Sequence, residues 1–169
     1  LTQSKGGMPE AEQQAWLGAL NQNKQWSLAY LSWAVNLPAE LQKELGNIFN
    51  GSFENEPVGS EFDWQFVSVP GASMDRSFRE GVKGEKALLV QFSDRRVPFN
   101  HVRQTLVLPA GSYRLSGQGF AQDLVTERGL VWNILCLGGG PNLAISEPWQ
   151  GNSQQWRRFS VDFEVPTSN

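Results

Sequence analysis

Seven tryptophans and ten phenylalanines in 169 residues stand among glutamines, asparagines and scattered arginines. Flat aromatic faces accept the C–H surface of a pyranose ring, while amides and guanidinium groups satisfy hydroxyls. Four of the tryptophans, Trp64, Trp132, Trp149 and Trp156, follow residue 50. Trp149 lies in Glu147-Pro148-Trp149-Gln150-Gly151, a loop-forming stretch, and is the one expected to reach solvent. Trp64, Trp132 and Trp156 fit core or rim packing. Arg114, Gln118 and Phe120 are spaced in twos and fours, so a single strand face presents all three. Gln91 and Asn133 are the further candidates to line a concave sheet surface with them.

Signals for catalysis are weaker. His101 is the single histidine and has no evident partner, so a surface or locally hydrogen-bonded role is expected. A zinc site built on several histidines, or a zinc knuckle, is excluded by one His and one Cys. Cys136, in the apolar run 130–136, reads as a buried structural thiol. Gly138-Gly139-Gly140 lacks the Lys-Ser/Thr that follows in a phosphate loop, and is turn chemistry. Glu54, Asp63, Asp123, Glu127, Asp162 and Glu164 offer carboxylates, but a glycosidase needs two of them about 5 to 9.5 Å apart across a cleft. No catalytic residue is assigned, and binding ranks ahead of a small hydrolase.

Fourteen basic and seventeen acidic residues leave a net charge of −3, which supplies no field for nucleic acid. The densest basic pairs, Arg95-Arg96 and Arg157-Arg158, read as turn or solvated-face residues. No run approaches the ~20 apolar residues of a membrane span, and no basic-then-apolar export signal opens the sequence. A start at Leu1 is equally that of a mature or excised chain, so the compartment stays open.

Two segments must position these side chains. In residues 1–49 apolar residues recur at helical spacing. Leu1 to Met8 is expected to fray; Pro9 opens a first helix with Trp16, Leu17 and Leu20 on one stripe. Lys24 to Ala34 follows with Trp26, Ala29, Tyr30 and Trp33. Pro38 opens a third helix carrying Leu41, Leu45, Ile48 and Phe49 and ending near Gly51. Such helices need a neighbour to cover their stripe: the second segment, further repeats, or a partner protein.

Residues 50–169 alternate in twos. Strands are expected at 62–66, 87–92, 101–108, 112–122, 130–137, 143–146 and 155–165, with 68–86 mostly loop. Gly117 and Gly119 share a face, which implies strand curvature or close packing there. Short antiparallel strands without long helices between them make the chain mainly β, an antiparallel β-sandwich with a short N-terminal helical segment.

The second segment resembles the galactose-binding-like jelly-roll families that include carbohydrate-binding modules of xylanases and glucanases. The matching residues are Asn50-Gly51-Ser52-Phe53-Glu54, Phe62-Asp63-Trp64, 84–88, Gln104-Thr105-Leu106, 109–116 and the closing 156–165 strand. The helices resemble the end of a tetratricopeptide-type array. The resemblance implies a jelly-roll sandwich and a poly- or oligosaccharide ligand. It also implies a structural calcium held by Glu54 and Asp162, although the usual tandem acidic pair is missing because Phe163 follows Asp162. A bacterial envelope or polysaccharide-related protein, in the periplasm or at the envelope, is the setting it suggests. The alternative is an assembly module that binds a protein partner through the N-terminal helices.

Overall fold

The computed structural model describes residues 9–80, 84–93, 95–137 and 140–167. Three helices come first: α1 (Glu10–Gln22), α2 (Trp26–Asn36) and the single turn α3 (Ala39–Gln42). Eight strands follow: β1 (Gln65–Phe66), β2 (Ala72–Phe78), β3 (Lys86–Phe92), β4 (Val102–Arg103), β5 (Gly111–Gly119), β6 (Asn133–Leu135), β7 (Asn142–Ile145) and β8 (Arg157–Val165). Among the described residues strand residues outnumber helical ones, and every strand pair is antiparallel. Among the described residues the strands form four two-stranded ladders, β1–β4, β2–β3, β5–β8 and β6–β7. The expected 1–8 and 138–139 features lie outside the described residues.

Contacts divide the chain into two compact units. One runs to Ser68 and includes Asn100–Val107; the other holds Val69–Phe99 and the chain from Leu108 onward. The change of pattern at Asn50 is therefore not the line along which contacts separate. The physical reason is the core of the first unit. Leu17 and Leu20 of α1 meet Ala29, Trp33, Ala34 and Leu37 of and beside α2, and Phe49 and Phe62 complete the cluster. Trp33 stands edge-on to Phe49 at 5.0 Å, and Tyr30 edge-on to Phe62 at 5.5 Å. The inner stripe of α2 is thus covered by residues immediately downstream of the helices. Its opposite side leaves Leu28, Leu31 and Val35 exposed, as is Trp16 of α1.

The third helix is shorter than expected. It ends after Gln42, where tighter three-residue bonds from Glu44 to Leu41 and from Leu45 to Gln42 take over before Gly46-Asn47. Ile48 and Phe49 are therefore delivered by a turn rather than a helix. Asn50 then takes a left-handed backbone conformation (φ 51°) while its buried side chain bonds residue 55 in both directions. Its Nδ2 donates to the Asn55 carbonyl at 2.8 Å, and its Oδ1 accepts from the Asn55 N–H at 3.0 Å. The Trp64 indole N–H donates to the Asn50 carbonyl at 2.9 Å. Asn and Asp tolerate this conformation better than branched residues do.

The alternation expected over 62–66 does not survive. Phe62, Asp63 and Trp64 are all buried, and only Gln65–Phe66 pair as a strand. Asp63 is enclosed because its carboxylate accepts the Val58 N–H at 2.8 Å and the Trp64 N–H at 2.7 Å. The 101–108 strand shrinks to β4, since Thr105 gives its N–H to the Glu61 carbonyl and Gln104 its amide to the Phe49 carbonyl. Conversely, part of the stretch expected as loop is strand β2, seven residues paired throughout with β3. Its polar composition hides a half-buried, half-exposed ribbon.

In the first unit the Glu61 carboxyl is raised above its ordinary value, first by burial, with the Arg103 charge pulling it partly back. The Asn21 side-chain amide donates to it. An unfolded chain ionises Glu61 at a lower pH than the folded one, so over that window the folded state binds more protons and stability falls as pH rises. Glu61→Gln keeps an acceptor for Asn21 without the charge. Thermal unfolding followed from about pH 4 to pH 7 is expected to show the variant gaining on the parent chain as pH increases. A constant gap contradicts the assignment.

Candidate functional site

β5 and β8 pair over nine consecutive positions, from Gly111 opposite Val165 to Gly119 opposite Arg157. Strand pleating sends alternate side chains to opposite faces, and the exposure of both strands alternates accordingly. On the less exposed face Tyr113 stacks with Phe163 at 5.6 Å, Leu115 lies opposite Val161, and Gly117 opposite Phe159. On the exposed face the rungs are Ser112–Glu164, Arg114–Asp162, Ser116–Ser160 and Gln118–Arg158. Phe120 and Trp156 lie just past the end of the ladder, with ring centroids 5.9 Å apart. The Trp156 indole N–H donates to the Glu80 carbonyl at 2.9 Å, which fixes the ring.

Of the expected trio, Arg114 and Gln118 are brought onto one exposed face, and Phe120, exposed as well, lies one residue past the end of β5. Arg114 is not free on that face. Its Nε and Nη2 donate to the two oxygens of Asp162 at 2.6 and 2.9 Å. That hydrogen bonding, reinforced by charge, lowers the Asp162 carboxyl and raises the Arg114 guanidinium. The pair leaves the middle of the face without net charge.

Trp149 corrects the expectation of an exposed loop tryptophan: it is buried at 8% exposure. Its backbone exchanges hydrogen bonds with Leu130 at 2.8 Å each way, so the loop is tied down. Its ring meets Phe159 edge-on at 6.2 Å, and the Arg157 guanidinium lies 4.2 Å from the ring centroid. Trp156, expected in core or rim packing, is half-buried, with its ring beside exposed Phe120. Gln91 and Asn133 are exposed, but on β3 and β6, whose ladder partners are β2 and β7. Among the described residues no ladder hydrogen bonds join either strand to β5 or β8.

The end of the ladder is extended by loops that brace each other. Ala121 and Ser153, and Leu124 and Gly151, pair through their backbones, while Asp123 and Asn152 bond twice, at 2.7 and 3.1 Å. A depression of about 270 Å³ lies there, lined by Gln150, Asn152, Gln154 and Gln155 with Trp156 and Arg157. These amides were not singled out from the sequence; their clustering within 150–157 is the signal that was available.

Glu54 is half-buried in the first unit, and Asp162 is committed to Arg114. Among the described residues no group of three or more His, Cys, Asp or Glu side chains is placed to hold a metal ion. The remaining carboxylates are also engaged: Glu127 with Arg96 at 2.7 Å, Asp123 with Asn152, Glu164 with the Ser112 hydroxyl at 3.3 Å, and Asp63 with backbone N–H groups. His101 is half-buried, its Nδ1 accepting the Asn100 N–H at 3.2 Å. Cys136 is half-buried as well. Among the described residues no helix is long and apolar enough to cross a membrane.

Compared with known proteins, the chain matches no protein-family model, no curated protein and no solved structure.

The glycines resolve into close packing rather than curvature alone. A Cβ on Gly117 would lie 2.8 Å from the Phe159 ring, and one on Gly119 would lie 2.8 Å from the Trp149 ring. Trp149 cannot retreat, since Phe159 and Arg157 hold it on either side. Gly119→Ala is expected to lower stability in urea by about 1–3 kcal/mol, the range for overpacking a filled site. Unchanged stability would show that the indole does not rest on that glycine.

Proposed function

We propose that the chain is a non-catalytic carbohydrate-binding module whose second segment is a jelly-roll-type sandwich, belonging to a larger bacterial envelope or polysaccharide-related protein. The observation that carries the reading is the exposed face of the β5–β8 ladder. It carries the Gln118 amide and the Ser116 and Ser160 hydroxyls, and two aromatic rings, Phe120 and Trp156, stand just past its end. Rings of this kind offer apolar area with little side-chain entropy to lose, and the neighbouring groups donate and accept along a row about 14 Å long over four residues of strand. Phe120 is 46% exposed, so part of its ring meets solvent.

The sandwich architecture is supported by the alternation along β5 and β8 and by their long-range antiparallel pairing, with β6–β7 nested between them in the chain. Calcium is not part of the proposal, because Arg114 already supplies the cation beside Asp162.

A second reading, assembly through α2, is favoured by Leu28, Leu31 and Val35, spaced three and four apart and 55%, 57% and 71% exposed. It predicts self-association or partner binding that a Leu31→Arg variant loses in sedimentation experiments and a Phe120→Ala variant keeps.

Affinity electrophoresis in gels containing neutral and acidic polysaccharides tests the main reading. The chain is expected to be retarded by at least one polymer, and Phe120→Ala to weaken that retardation several-fold while leaving the far-ultraviolet dichroism unchanged. Retardation by none of the polymers, or full retardation of the variant, contradicts it.

A further inference from the structure

We propose that the saccharide taken by this face is acidic, a uronate-bearing polymer, with the Arg158 guanidinium receiving a sugar carboxylate. The inference rests on the carbohydrate-binding reading and adds the charge class of the ligand.

The charges on the exposed face differ in how they are used. Arg114 and Asp162 neutralise each other through two hydrogen bonds. Glu164, at the far end of the ladder, accepts from Ser112. Arg157 belongs to the other face, where its guanidinium lies over the Trp149 ring. Arg158 remains: it is exposed, it stands opposite the uncharged Gln118, and among the described residues no carboxylate forms an ion pair with it.

Its position is what makes it informative. Along its strand Arg158 lies two residues from Ser160, which pairs with Ser116, and two residues from Trp156, whose ring lies 5.9 Å from that of Phe120. Two residues along one strand face span about 7 Å, so a sugar ring resting on those rings brings its substituents to the guanidinium. A guanidinium offers a planar fork of donors that matches a carboxylate with two parallel bonds. The Gln118 amide across the ladder supplies a further donor. A neutral sugar offers that fork only hydroxyls. In a chain of net charge −3, this local cation also sets the site apart from the general surface field.

The test measures affinity of the full chain for three uronate polymers, polygalacturonate, alginate and glucuronan, each beside its carboxyl-reduced counterpart, with dextran sulfate as a generic polyanion. At least one uronate is expected to bind about tenfold or more tightly than its reduced form and than dextran sulfate, the scale of a charge-assisted hydrogen-bonded contact. Arg158→Gln is expected to bring that affinity down to the level of the reduced polymer, and Arg96→Gln, whose guanidinium is held in an exposed ion pair with Glu127, to leave it unchanged. Equal binding of uronate and reduced forms overturns the inference, as does a preference that survives Arg158→Gln, falls equally with Arg96→Gln, or is matched by dextran sulfate. Phe120-dependent binding of neutral polymers without any acid preference would overturn this inference and leave the carbohydrate reading standing. Binding of no saccharide at all would remove both.

Discussion

Nine consecutive antiparallel pairs between β5 and β8 leave their side chains no choice of face. The register places Gly117 against Phe159 and lets the Trp149 ring rest on Gly119, contacts that a shift of one residue would replace with Gln118 and Phe120. Such a slip also moves every exposed group to the packed side. The same pairing that half-buries Tyr113, Leu115, Phe159 and Phe163 therefore decides that Arg114, Gln118, Ser160 and Arg158 share the exposed face, with Phe120 and Trp156 just past its end. Packing and the candidate surface are two sides of one ladder.

The first unit solves a different problem. Its helices carry more apolar surface than two short elements can hide from each other, and Phe49 and Phe62 supply the missing cover. Getting both rings there requires a sharp reversal between them, and the left-handed Asn50 with its double bond to residue 55 provides it. Burial of Asp63 belongs to the same construction, since its carboxylate closes the turn by accepting two backbone N–H groups. Asn50, Phe62, Asp63 and Trp64, which carry part of the resemblance, thus have a local structural explanation independent of any ligand.

Much of this was legible where one periodicity held over many residues. The 112–122 and 155–165 patterns anticipated β5 and β8, and within β5 the shared face of Arg114 and Gln118, because strict alternation over nine positions has a single geometric meaning. The first two helices were legible for the corresponding reason. Short patterns misled. Phe62-Asp63-Trp64 imitates alternation, but Asp63 is buried by backbone donors that no spacing rule reveals. β2 was hidden by its serines, arginine and aspartate, since a ribbon with little deep burial needs few apolar residues. Trp149 was misread because its exposure depends on a glycine thirty residues earlier and on Arg157, both set by tertiary pairing. The pairing of Arg114 with Asp162 required the register between strands, which a single sequence does not contain.

Chemical-shift mapping by heteronuclear NMR tests the central claim most directly. The backbone amides of the labelled chain are followed during titration with an oligosaccharide of the best-retained polymer. The account predicts that the largest changes fall on Ser116, Gln118, Phe120, Trp156, Arg158 and Ser160, with the amides of Leu28, Leu31 and Val35 unmoved. Changes centred on α2, or scattered without preference for the exposed face of the β5–β8 ladder, would contradict it.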